Sequence, residues 1–238
     1  MLYQCYPKNE HESMLFPQEP YTGFGLEPEV NQDLFLNCPE LEDAEVRMQL
    51  TEYACFLWHW RNPESNPDWW FGTTSYRQLD KNPFRFIHKK EIEEGLSKND
   101  ILAWGKYTLL DKQSQPQPLS GQAESCHPGI NKYITDVLDK FNVTVPDGWG
   151  TCTEGYFANY WVMSNELLRD YMEFSWPMVK WSLENVKDSD YYKMDTTYGT
   201  VSNSKATGYF MERLFILWYL LRDLNPYNLG PVTVLMSM

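Results

Sequence analysis

Cysteine, positive charge and long apolar runs are all scarce in this sequence, and each shortage removes a class of protein. The five cysteines (Cys5, Cys38, Cys55, Cys126 and Cys152) are odd in number and form no C-x-x-C pair, so neither a zinc site nor a disulfide framework is visible. Reduced thiols that mostly serve packing are expected. No uncharged apolar stretch approaches the ~18 residues of a membrane span, which predicts a soluble chain with no transmembrane segment. Met1 leads directly into Leu-Tyr-Gln-Cys-Tyr, without the basic and apolar regions of a secretory signal, and a cytoplasmic location is expected. Basic residues number 20 against 33 acidic ones, a net charge of −13 that would repel a phosphate backbone. With no local Lys/Arg cluster to offset it, nucleic acid is excluded as an expected partner.

Aromatic residues, in contrast, are abundant. They make up 16% of the 238 residues, with ten Trp and sixteen Tyr. Flat rings stack on sugar faces and on nucleobases, although most large aromatics simply fill a core. The length suits one α/β domain, and neither an internal repeat nor a separating linker is evident.

The hydrophobic pattern predicts a strand over 2–6, then a polar loop to about Pro39. Val46, Leu50, Tyr53, Leu57 and Trp60 recur at helical spacing and predict one helix over 42–61, stopped by Asn62-Pro63. A buried strand over 68–74 follows, then a turn near 80–83, a charged helix over 89–98 and a second buried strand over 100–104. The Gln-, Pro- and Ser-rich stretch 111–125 reads as a surface loop, mobile and able to cover a site. A helix over 129–141, an aromatic strand over 156–163, and a helix over 165–186 capped by Ser164 and interrupted by Pro177 come next. A second polar loop spans 187–206. The last helix, 207–224, is apolar nearly all round and should be buried against the sheet.

Ligands of open α/β sheets bind beyond the carboxyl ends of the strands. The first strand ends with Gln4 and Tyr6, able to hydrogen-bond and stack on a base. The second buried run exits through Thr73, Thr74, Tyr76 and Arg77, hydroxyls and a guanidinium suited to a diphosphate. An ordinary strand-to-loop exit would read the same way.

Several strings carry a resemblance. Leu50-Thr51-Glu52-Tyr53 leading into Trp58-His59-Trp60, then Asp68-Trp69-Trp70-Phe71-Gly72-Thr73-Thr74-Ser75-Tyr76-Arg77, resembles a group of GT-A-like glycosyltransferases from polysaccharide loci, with their E-L-T-x-x-Y-W helix and D-Y-[IV]-G-x-x-x-Y-R strand. The opening Leu-Tyr-Gln-Cys-Tyr is similar to their Y-Q-I-Y-like strand. Asn159-Tyr160-Trp161-Val162-Met163 is similar to their N-x-[FY]-[IV]-M strand, and Gly208-Tyr209-Phe210-Met211-Glu212-Arg213-Leu214-Phe215 to their G-[FY]-x-x-E-R-L-F helix. The motifs are short, but they keep their order over most of the chain.

The resemblance implies a single GT-A-like, Rossmann-type domain over 1–238, with a mixed sheet flanked by helices. It implies a nucleoside diphosphate sugar donor on the half spanning 1–110 and a glycan acceptor on the half spanning 126–238. Glu212 is then the candidate general base, with the alternative that it is a structural partner of Arg213 or of another helix. His127, Asn159 and Arg213 are candidate acceptor or donor contacts. Such enzymes hold Mn²⁺ or Mg²⁺ through D-x-D at a strand end, and here the Trp-Trp-Phe-Gly-Thr-Thr strand lacks an acidic pair. Asp80 could supply a single ligand, or Arg77 could replace the cation. Asp188-Ser189-Asp190 has the right letters but in a polar loop. A non-catalytic carbohydrate-binding or degenerate transferase-like module is the competing expectation.

Overall fold

The computed structural model describes residues 1–27, 29, 36–79, 86–185, 206–230 and 232–236. In chain order these form β1 (Leu2–Tyr6), β2 (Tyr21–Gly25), α1 (Ala44–Leu50), α2 (Tyr53–Arg61), β3 (Trp70–Ser75), α3 (Lys89–Leu96), β4 (Ile101–Ala103) and β5 (Lys106–Leu110). There follow α4 (Leu119–Cys126), α5 (Ile130–Lys140), α6 (Asp147–Thr151), β6 (Glu154–Tyr156), β7 (Trp161–Ser164), α7 (Asn165–Asn185), α8 (Ala206–Leu221), β8 (Tyr227–Asn228) and β9 (Thr233–Met236). Residues 9–14, 39–42, 63–65 and 76–79 add four 3-10 turns.

Four expectations change. The polar loop expected up to about Pro39 contains the strand β2. The helix over 42–61 is two helices, because Thr51 adopts a φ of 45° and its N–H closes the first helix onto the Arg47 carbonyl. Apolar spacing runs on across this break, so periodicity could not reveal it. The stretch 111–125 is a loop only in its first half. Asp111 Oδ1 accepts the N–H groups of Gln113 and Gln115 at 2.9 and 2.8 Å, and the chain then enters α4. Leu119, Gln122, Ala123 and Cys126 are buried along one face of that helix at i, i+3, i+4 and i+7. A polar composition concealed that period. The aromatic strand over 156–163 is likewise two strands, β6 and β7, separated by Ala158 at a φ of 68°. The Ser164 cap is present, its Oγ accepting the Leu167 N–H at 3.1 Å, and α7 runs through Pro177. The turn at 80–83 and the loop at 187–205 lie outside the described residues.

Contacts cluster into two compact units. The first comprises Met1–Gly105, Ala158–Glu173 and Leu224–Pro231. Its six strands lie in the order β2-β1-β3-β7-β4-β8, with β1 parallel to β2 and β3, β7 antiparallel to β3 and β4, and β8 parallel to β4. All strands but β7 therefore point the same way, and the carboxyl ends of β1, β2 and β3, at Tyr6, Gly25 and Ser75, share one edge with the start of β7. The pleat sends neighbouring residues to opposite faces. Tyr3, Phe71 and Trp161 meet Phe24, Trp58 and Phe56 on one side, with Phe56 and Trp161 centroids only 4.2 Å apart. Leu2, Trp70 and Val162 join Tyr21, Ile92 and Leu102 on the other. With both faces covered, the strands read as continuous aromatic and apolar runs, the feature that made them legible in the sequence. Gly72 has no room for a side chain, since a Cβ would lie 2.6 Å from Val162 Cγ2 and 3.0 Å from both Leu2 Cδ1 and the Trp161 carbonyl oxygen.

The second unit comprises Lys106–Phe157, Phe174–Asp223 and Val232–Met238. Its sheet has the order β6-β5-β9, antiparallel between β5 and β6 and parallel between β5 and β9. Phe210, Leu214, Phe215, Ile216, Leu217 and Trp218 of α8 are fully buried. Gly155 of β6 lies beside Leu119 and Ile216, so α8 does pack against this small sheet. Four of the five thiols are buried, and Cys152 is half-exposed.

Candidate functional site

The carboxyl edge of the first unit gathers most of the residues singled out above. Gln4 and Thr74 are paired in register across β1 and β3. Gln4 is buried, its Oε1 accepting the Phe16 N–H at 2.6 Å and its Nε2 donating to the Ser75 carbonyl at 3.5 Å. The amide thus ties the chain that leaves β1 back onto the sheet. Thr73 donates its hydroxyl to the Asn159 carbonyl at 2.5 Å, which brings β3 and the entry to β7 together. Asn159 Oδ1 is buried with no hydrogen-bond partner among the described residues. Leaving such a group unpaired costs about 1 to 3 kcal/mol.

Tyr6 is buried, and its hydroxyl is pushed up from the usual phenol range by burial and by the charges of Glu12 and Glu27. Tyr76 and Arg77 stand just past β3, where the Arg77 N–H donates to Ser75 Oγ at 3.2 Å. The Arg77 side chain is exposed, placing a free-reaching cation at the strand edge. The Tyr76 ring is stacked on His11, with centroids 4.1 Å apart and planes 15° from parallel. Sequence reasoning passed over His11. It lies in a polar turn far from Tyr76 along the chain, and only the parallel pairing of β1 with β3 brings the two rings together.

His127, Glu212 and Arg213 meet in the second unit. Arg213 is 1% exposed, which is rare for a guanidinium. Its Nη1 donates to the Tyr209 carbonyl, one helical turn back, at 3.0 Å and to Glu212 Oε2 at 3.1 Å, and the group lies over the Phe157 ring. The Glu212 side chain is 35% exposed, so its carboxylate is anchored from within and still reaches water. His127 is buried and stacked on Tyr209 at 3.6 Å. Burial first, and the Arg213 charge second, push its imidazole down to about 3, so it is neutral at physiological pH. Burial also pushes up the Cys126 thiol, against the opposing effects of Arg213 and Gln122, and the Tyr107 hydroxyl, there with help from Glu212. Tyr107, Phe157 and Tyr209 were missed in the sequence. Tyr209 alone left a signal, since it belongs to the same string as Glu212 and Arg213.

Asp80, Asp188 and Asp190 lie outside the described residues, and among the described residues no cluster of three or more His, Cys, Asp or Glu is placed to hold a metal. No described helix is long and apolar enough to cross a membrane.

No family model matches the chain, and no curated protein matches it. A solved structure to which it is similar is that of the bifunctional glycosyltransferase WbbM in its apo form, with a TM-score of 0.55 and 14% identity over 98% of this chain. The chain spans 45% of the length of that protein. What the likeness establishes is the fold, a mixed α/β sheet flanked by helices, as in that glycosyltransferase.

Proposed function

We propose that the chain is a GT-A-like glycosyltransferase that moves a hexose from a nucleoside diphosphate sugar to a glycan hydroxyl in polysaccharide or glycan synthesis. The observation that carries the proposal is the carboxyl edge of β1 and β3, where an aromatic ring on Tyr76 and a cation on Arg77 adjoin at the end of parallel strands, in a fold shared with a glycosyltransferase. The ring suits the nucleobase and the guanidinium the diphosphate, which it can grip through two parallel hydrogen bonds. Asp80, Asp188 and Asp190 are the acids proposed for any Mn²⁺ or Mg²⁺.

The acceptor role falls to the second unit. In an inverting transfer, Glu212 would take the proton of the attacking hydroxyl as the bond from the anomeric carbon to the diphosphate breaks. The Arg213 contact fixes the carboxylate, and the neutral His127 below adds no competing charge. A thermal-shift screen against UDP-, GDP-, dTDP- and CMP-sugars, with and without Mn²⁺, tests the donor, and no shift with any of them rejects the proposal.

One observation favours a second reading, a carbohydrate-binding or degenerate transferase-like module without turnover. Glu212 already has a partner in Arg213, the arrangement expected of a structural ion pair. Slow hydrolysis of the bound donor in the absence of acceptor separates an enzyme from such a module.

A further inference from the structure

The aromatic face assigned above to the nucleobase is contested by a side chain of the protein itself. His11 and Tyr76 come from the two 3-10 turns that follow β1 and β3, and their near-parallel stack at 4.1 Å has the geometry of a base lying on a tyrosine. The contact leaves the imidazole poorly served. Its Nδ1 is buried with no hydrogen-bond partner among the described residues, and Nε2 comes no closer than 3.8 Å to Glu10 Oε1, beyond hydrogen-bond reach. A buried polar nitrogen without a partner forfeits the hydration it would have outside the stack. His11 is therefore a weakly held occupant, and a purine or pyrimidine offers the phenol ring a larger surface without that penalty.

Resting on the donor reading above, we propose that His11 competes with the nucleobase for the face of Tyr76, so that donor binding displaces the imidazole and His11 sets donor affinity from the negative side. The turn that carries it is held at both ends, by the Asn9 N–H donating to Glu27 Oε2 at 2.9 Å and the Phe16 N–H donating to Gln4 Oε1 at 2.6 Å, so the imidazole leaves by rotation of its own side chain and the sheet stays as it is.

The test uses calorimetric titration of UDP, GDP, dTDP and CMP into the unaltered chain and the His11→Ala, His11→Ser, Tyr76→Ala and double variants, each first checked for a cooperative melt. Whichever nucleotide binds the unaltered chain should bind both His11 variants roughly twofold to tenfold more tightly, the worth of one aromatic pair. That gain should vanish in the Tyr76→Ala background. In the unaltered protein the His11 ring protons should resonate upfield, shielded by Tyr76, and move downfield as the nucleotide is added. Equal or weaker binding in the His11 variants, or His11 resonances unmoved by a nucleotide that does bind, would overturn the competition and leave the donor reading standing. If no nucleotide binds the unaltered chain, the donor reading itself falls and takes the competition with it.

Discussion

His59 and His127 are both kept neutral inside the protein, and this ties stability to pH. Burial pushes His59 down to about 4, against the opposing effect of its hydrogen bond to Asn165 Oδ1, and pushes His127 down to about 3. Because the unfolded chain binds these protons at about 6.5 and the folded one does not, acid favours unfolding. The contribution is intact above pH 6.5, is lost as pH falls from there to about 4 for His59 and about 3 for His127, and is flat below. The slope should be roughly 1.4 kcal/mol per pH unit for each histidine. Urea titrations between pH 4 and 7 should show it, and His127→Phe, which keeps a ring on Tyr209, should remove about one proton's worth. An unchanged slope would mean that His127 takes up its proton without unfolding. Two further residues divide the proposed chemistry. Arg77→Ala should weaken nucleotide binding by about 1.5 to 3 kcal/mol, the worth of a charge-assisted hydrogen bond, and unaltered affinity would move the diphosphate elsewhere. Glu212→Gln should lower turnover by roughly a hundredfold to ten-thousandfold with donor affinity nearly intact if it is the base. If it is a structural partner of Arg213, melting temperature, binding and turnover should fall together. Glu212 and Arg213 were readable as a pair from one string. Their depth was not, because sequence spacing says nothing of how far a guanidinium is drawn below the surface.

At the scale of elements, the break between α1 and α2 and the crowding at Gly72 make opposite predictions. Thr51 is β-branched and sits at φ 45°, a conformation that favours glycine, so Thr51→Gly should raise stability by about 1 kcal/mol in denaturant titrations. A loss would show that the side chain contributes more than its backbone costs. Gly72→Ala should instead cost about 1 to 3 kcal/mol, because all three of its neighbours belong to adjoining strands of the sheet and one of them is backbone. Elements with strong periods or buried aromatic runs, such as β1, β3 and α5, were legible in the sequence. α4 was hidden behind Gln, Ser and Gly. β2 was hidden because its central Thr22 and Gly23 are exposed and carry no apolar run.

For the molecule as a whole, a net charge of −13 and a fold with an open parallel edge were readable or inferable, whereas the assignment of residues to two units was not. Each unit is assembled from segments distant in sequence, and no linker composition marks where the chain passes from one to the other. A nucleotide sugar at a hundred times its dissociation constant should add about 2.7 kcal/mol, raising the melting temperature by roughly 5 to 10 °C for a chain of this size. The distribution of thiols supplies a clock for each unit separately. Cys5, Cys38 and Cys55 are shut inside the first, Cys126 inside the second, and only Cys152 is open to solvent in part. Burial pushes up Cys5, Cys38, Cys55 and Cys126, which starves them of thiolate, the form that alkylating reagents attack. Cys152 should therefore label promptly in the native protein, and every later mass increment should time an opening event. If the modification of Cys126 and of Cys5 proceeds at different rates under native conditions, the two halves breathe independently, and a nucleotide that slows only the second of these reveals which half it holds closed.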